Sequence, residues 1–159
     1  MTETKHLREH LLELLDGKSA HVDLASALRD FPVKAINTAP ANSPHTAWQL
    51  LEHIRIAQWD ILEFSRNSKH VSPKWPDGYW PQSSAPADEE AWKKSIAAFR
   101  RDLEEVKKLV SQGDEQQLCA RIPHGDGQTL LREALLVADH NSYHLGQLVM
   151  LRKMFGAWK

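Results

Sequence analysis

Four stretches of the chain repeat apolar residues at helical spacing, and the segments between them hold nearly all the prolines and glycines. Leu7, Leu11, Leu14 and Leu15 lie on one helical stripe, with Gly17 placed to stop it, which predicts a first helix over about residues 3 to 16. "HVDLASALRD" predicts a shorter helical piece before Pro32. "FPVKAINTAPANSP", broken by three prolines, predicts a connection with at most one helical turn. Ser43 followed by Pro44 predicts the N-cap and first position of a second long helix running to about residue 67. Its core stripe is Leu50, Ile54, Ala57, Ile61 and Phe64, and His53 sits at the edge of that stripe.

Residues 68 to 87 hold four prolines and a glycine, so they are read as a long connection. Connections of that length tend to be functional or disordered, and Trp75, Tyr79 and Trp80 argue against disorder. Asp88 opens a third long helix with acidic residues in its first turn. Trp92, Ile96, Phe99, Leu103, Val106 and Val110 form its stripe, and Gly113 and Asp114 are the expected stop. "LCARIPHGDGQ" predicts a turn-rich loop, and Thr129 caps a last helix reaching about Phe155. No alternating strand pattern and no repeat occurs. The expected fold is all-α, a single-domain four-helix bundle with long connections over residues 1–159.

The 159 residues suffice for a core without staples. The formal charge of −1 excludes the basic excess of a nucleic-acid binder. The single cysteine, Cys119, allows no internal disulfide. The N-terminal segment is charged and amphipathic, unlike a secretory leader, and no apolar run is long enough to span a bilayer. A cytoplasmic location is therefore expected.

The chemistry lies in "DHNSYHLGQLVMLRK", residues 139 to 153, where His140 and His144 sit four apart on a largely apolar helix. Spacing alone is weak evidence, since His6 and His10 show it too, beside Glu3 and Glu13 on a solvated flank. His140 and His144 differ because Val137 and Leu148 bracket them. Buried imidazoles without partners are costly, and two cannot both be charged cheaply. A divalent ion removes the conflict by taking a lone pair from each neutral ring. The residues between them are Asn, Ser and Tyr, so the glutamate of a zinc-protease helix is absent. Paired Glu-x-x-His motifs of a di-iron bundle and a phosphate-binding loop are absent as well. A third ligand must come from another helix. Spacing leaves His53 undecided between that role and a hydrogen-bonded core histidine. His45 stands near a helix start, and His70 and His124 fall in loops.

"SPHTAWQLLEHIRIAQWDIL" with "DHNSYHLGQLVMLRKMFG" downstream resembles the DinB-like family of metal-binding four-helix bundles, across nearly the whole chain. Its most specific element is H-x-x-x-H-x-G-Q, here His140, His144, Gly146 and Gln147. "WPDGYWP" resembles a subgroup of the same family. The resemblance implies a metal site of His53, His140 and His144. It also implies kinship with transferases and isomerases that use a low-molecular-weight thiol such as bacillithiol or mycothiol.

Three histidines leave a coordination position open, and the donors suit zinc or nickel, with iron or copper also compatible. The expected function is that of a metalloenzyme, a thiol transferase or hydrolase acting on small molecules. The alternative is a non-catalytic or stress-associated bundle whose metal ties helices together. Further expectations attach to single residues. Trp75, Tyr79 and Trp80 roof the pocket. Gln147 orients a ligand or packs between helices. Asp60 hydrogen-bonds a histidine. Tyr143 is structural, His124 is a solvated loop histidine, and Cys119 lacks a base. The apolar surplus of the last helix, at Leu136, Val137, Leu148, Met150, Leu151 and Met154, predicts a homodimer.

Overall fold

The structure is a computed structural model that describes residues 2–17, 19–81, 86–112 and 115–158. Its order is α1 (Thr2–Asp16), α2 (Leu24–Leu28), α3 (Ala47–Arg66), α4 (Glu89–Ser111), α5 (Glu115–Cys119) and α6 (Leu130–Met154). Single 3₁₀ turns lie at Val33–Ala35 and Asp77–Tyr79. The long helices α1, α3, α4 and α6 make the bundle. α1 and α3 each pack on both α4 and α6, so they face each other across it. Among the described residues there is no strand, only an isolated bridge between Arg121 and Thr129. No described helix is long and apolar enough to cross a membrane.

Local chemistry sets the helix ends. Gly17 takes a φ of 65° after α1, a conformation that costs glycine nothing. Asp88 and Thr129 cap α4 and α6 through their side chains. The start of α3 is not at Ser43 and Pro44, as the sequence suggests, but at Thr46. There the Thr46 hydroxyl accepts from the Gln49 amide at 3.1 Å, and the Gln49 side chain accepts from the Thr46 amide at 2.9 Å. This reciprocal pair satisfies two donors at once, more than a serine before proline can do. The Ser43 hydroxyl instead donates to the His45 carbonyl. The short α5 also departs from the loop expected there. The expected stop of α4 at Gly113 and Asp114 lies outside the described residues.

Two apolar clusters fill the bundle. One holds Ile36, Leu51, Ile54, Trp92, Phe99 and Leu148. The other holds Leu11, Leu15, Leu62, Val106, Val110 and Val137. Between them α3 contributes Gln58, α4 Asp102, and α6 His140, Asn141 and His144. The Gln58 amide donates to the Phe99 carbonyl at 2.8 Å, and Asn141 donates to Gln58 at 2.9 Å. The bundle therefore has a polar waist, partly satisfied by these bonds, in which Asp102 Oδ2, Asn141 Oδ1 and His140 Nδ1 are buried without a hydrogen-bond partner.

α6 touches all five other α-helices, which accounts for much of its apolar circumference. Of its six surplus residues, Val137, Leu148 and Leu151 are buried, while Met150 and Met154 are 57 % and 55 % exposed. On α1 the expected stripe is half right: Leu11 and Leu15 are buried, and Leu7 and Leu14 are exposed.

The capping box yields a direct check. Thr46→Ala is expected to cost about 1 kcal/mol of stability, and Ser43→Ala less than about 0.5 kcal/mol, measured by urea unfolding. Equal losses would return the helix start to Ser43.

Candidate metal centre

His53 is buried on α3, and His140 and His144 rise one turn apart on α6. Each offers a nitrogen, and these nitrogens lie within 4.8 Å of one another. The Nε2 atoms of His53 and His140 are 3.2 Å apart. Ring centroids in the trio are separated by 4.6 to 4.9 Å, with rings tilted edge to face.

The outer nitrogens define the tautomers. His53 Nδ1 lies 2.9 Å from the Tyr79 carbonyl, which can only accept, so Nδ1 carries the proton and Nε2 the lone pair. His144 Nδ1 lies 2.8 Å from Gln147 Oε1 and donates to it, leaving Nε2 as its lone pair. Gln147 thus orients His144, one of the two roles expected for it. His140 Nδ1 is buried without a partner. A tetrahedral ion holding imidazole nitrogens at about 2.0–2.1 Å spaces them roughly 3.4 Å apart, close to the 3.2 Å between His53 and His140, with all three nitrogens within 4.8 Å of one another. The donor set and its spacing fit a divalent metal.

Electrostatics agree. Burial, then repulsion from His144 and His53, pushes His140 down to about 4. Burial also lowers His53 and His144, against the opposing pull of the Tyr79 carbonyl and the Gln147 side chain. All three rings are therefore neutral near pH 7, as metal ligation requires.

The connection before α4 builds the roof. Trp80 lies flat on His53, with centroids 4.1 Å apart and planes 7° from parallel, and His45 stacks on Trp80 at 4.2 Å. Tyr79 serves twice. Its carbonyl holds His53, and its hydroxyl donates to Asp60 at 2.6 Å. Burial, followed by the Asp60 carboxylate, pushes the Tyr79 phenol up to about 12. Gly78 makes the turn possible, because a Cβ there would stand 2.8 Å from the Pro73 Cβ. Trp75 is 72 % exposed and lines the outer rim. His45, Trp75, Pro76 and Trp80, with Pro44, Asp139, Tyr143 and Gln147, line a pocket of about 620 Å³ opening on the imidazoles, while Tyr79 acts through its two hydrogen bonds and is not part of the lining.

Several expectations need correction. Asp60 does bond a histidine, but it is His70, at 2.7 Å, and not one of the cluster. His70 is no free loop residue, since its side chain is almost fully buried against Asp60 and Trp59. Tyr143, expected to be structural, lines the pocket: it sits about 100° around the helix from His144, and the two ring centroids are 4.8 Å apart, edge to face. His124 is exposed as expected, yet 2.6 Å from the Phe64 carbonyl. His45, weighed only as a ligand candidate near a helix start, lines the pocket instead, and Asp139, also on its lining, was missed because it does not follow the helical ridge that marks the ligands. Cys119 is exposed and lines no part of this pocket. His6 and His10 pair with Glu9 and Glu13 on the solvated flank of α1.

The neutral imidazoles predict an acid response. An unfolded histidine takes its proton near pH 6.5, but His140 in the fold does so only near pH 4. Between those values the unfolded chain binds more protons, so stability must fall as pH falls. The metal-free protein is expected to lose stability across pH 6.5 to 4, and His140→Leu to flatten that loss, in urea unfolding at each pH. A slope unchanged by the substitution would refute the assignment. Gln147→Leu frees the His144 ring and is expected to weaken zinc binding about tenfold, measured by chelator competition.

A family model described as the DinB superfamily matches residues 18–148, a span that includes all three histidines. No curated protein and no solved structure matches the chain.

Proposed function

The chain belongs to the DinB superfamily, and on that premise we propose that it binds one divalent metal ion through His53, His140 and His144 and acts as a metal-dependent thiol transferase on small electrophiles. The observation that carries the reading is the approach of the His53 and His140 Nε2 atoms to 3.2 Å, with the His53 proton turned outward to Tyr79. Zinc or nickel suits three neutral imidazoles, and iron is compatible.

A bound ion would supply positive charge that lowers the pKa of a thiol or water entering the open position. The protein's own groups do the rest. The Tyr79 carbonyl and Gln147 hold the rings of His53 and His144 in orientation. Trp80 covers one face of His53 and keeps water from that side. The pocket admits the thiol and the electrophile from the side of Tyr143 and Trp75. In the transfer the thiol gives its proton to solvent and its sulfur bonds to the electrophilic carbon. The leaving group departs with the electron pair of the broken bond. The thiol itself is suggested by the family resemblance.

A second reading is a structural ion that only ties α3 to α6, supported by the origin of the ligands on those two helices. The pocket in front of the imidazoles favours the first, because closed structural sites carry four protein ligands. Among the described residues only three come together as a ligand group.

Metal analysis is expected to give one ion per chain, with most of it lost in His140→Ala and in His144→Ala. Full occupancy in both variants would reject the ligand set. With cobalt in the site, a small thiol is expected to produce a sulfur-to-metal absorption band, stronger as pH rises toward the thiol's own pKa because binding releases its proton. No band with any thiol would leave the structural reading.

A further inference from the structure

Beyond the imidazoles, the same face of α6 continues as a second groove. Gly146, Met150, Leu151 and Met154 form its floor, and the connection Ala41–His45 forms its wall, with Leu50 at the base. It encloses about 550 Å³, within the range of small-molecule sites. Pro44, His45, Tyr143 and Gln147 line both this groove and the pocket over the histidines, so the two spaces adjoin. Met154 lies ten residues past His144, about 15 Å along the helix axis.

No Asp, Glu, Lys or Arg is among the residues lining the groove. Its large exposed apolar side chains are Tyr143, Met150 and Met154, and the two methionines are flexible thioethers that adapt to varied apolar shapes. Gly146 points the same way. Glycine within a helix costs stability relative to alanine, and packing does not demand it here, since an added Cβ would meet nothing within 4 Å. The missing side chain leaves room in the groove at that point.

We infer that this groove holds the uncharged apolar tail of the small molecule whose polar head enters the open position at His53, His140 and His144. The inference rests on the proposed metal site and specifies the class of ligand: an amphiphile with a metal-seeking head and an alkyl or aryl tail. A trough bordered by the Ala41–His45 connection and adjoining the metal pocket suits an extended tail, and the shared residues Pro44, His45, Tyr143 and Gln147 give that tail a register.

The test uses the cobalt-loaded protein and a series of ethanethiol, butanethiol and hexanethiol, each titrated by the sulfur-to-metal band. Affinity is expected to rise with length, by up to about fourfold per methylene, the gain from burying one CH₂. Gly146→Leu fills the floor and should abolish that rise while cobalt content and ethanethiol affinity stay within about twofold. Met150→Asp, six residues past His144 and so about 9 Å along the helix axis, should weaken hexanethiol alone. If ethanethiol binds but longer chains bind no tighter, the groove assignment is wrong and the open metal site stands. If none of the three gives a band, the open position fails and the tail site falls with it. A wild-type dimer in sedimentation that Met150→Asp dissociates would give the groove to a second copy of the chain and overturn the proposal.

Discussion

Two imidazole nitrogens on different helices, 3.2 Å apart inside a protein, set the terms for everything around them. Protonation would bring like charges together in a partly buried space, and burial already opposes charge on each ring. An arrangement that keeps every ring neutral and turns lone pairs inward needs an ion between them and acceptors on the outside. The chain supplies two acceptors of different kinds, a main-chain carbonyl for His53 and a side-chain amide one turn further along α6 for His144, while His140 Nδ1 has none. Each acceptor fixes a tautomer as well as an orientation. A divalent ion is the partner that such a set of inward lone pairs suits.

The bundle is arranged to tolerate this polarity. Its apolar packing is divided into two clusters, and the histidines share the waist with Gln58, Asp102 and Asn141. The waist opens on one side, where the connection before α4 folds back over it. That connection is held down by polar contacts more than by helix packing. Asp60 receives both the Tyr79 hydroxyl and the His70 ring, and Trp80 lies between His45 and His53. A loop fastened at both its backbone and its rings can present a carbonyl to a ligand with the precision usually found on a helix. The same fastening leaves Trp75 and Tyr143 to shape the entrance.

Much of this was legible in the chain before folding. The four long helices follow from apolar residues at 3.6-residue spacing, a property of local sequence. His140 and His144 could be singled out because one helix places both on one ridge. His53 could not be chosen by spacing, since it reaches the pair only through the packing of α3 on α6, and the family resemblance was needed to select it. Thr46 was overlooked because serine followed by proline imitates a helix start, whereas the Thr46–Gln49 pair shows itself only when both hydrogen bonds are considered. The acceptor for His53 was beyond reach, as a backbone carbonyl carries no sequence signature. His45 read as a residue near a helix start and His70 as a loop residue, because their partners, Trp80 and Asp60, are not adjacent to them in the chain. The overlap between the metal pocket and the methionine-lined groove likewise depends on where the Ala41–His45 connection lies.

The central claim is that three imidazoles and no fourth protein group hold the ion. X-ray absorption of the zinc-loaded protein at the metal edge tests it most directly. The account predicts three imidazole scatterers with Zn–N near 2.0–2.1 Å, plus one light, exchangeable ligand that a small thiol replaces with sulfur at about 2.3 Å. A four-coordinate shell of protein ligands unchanged by thiol, or a shell with fewer than three imidazoles, would contradict it.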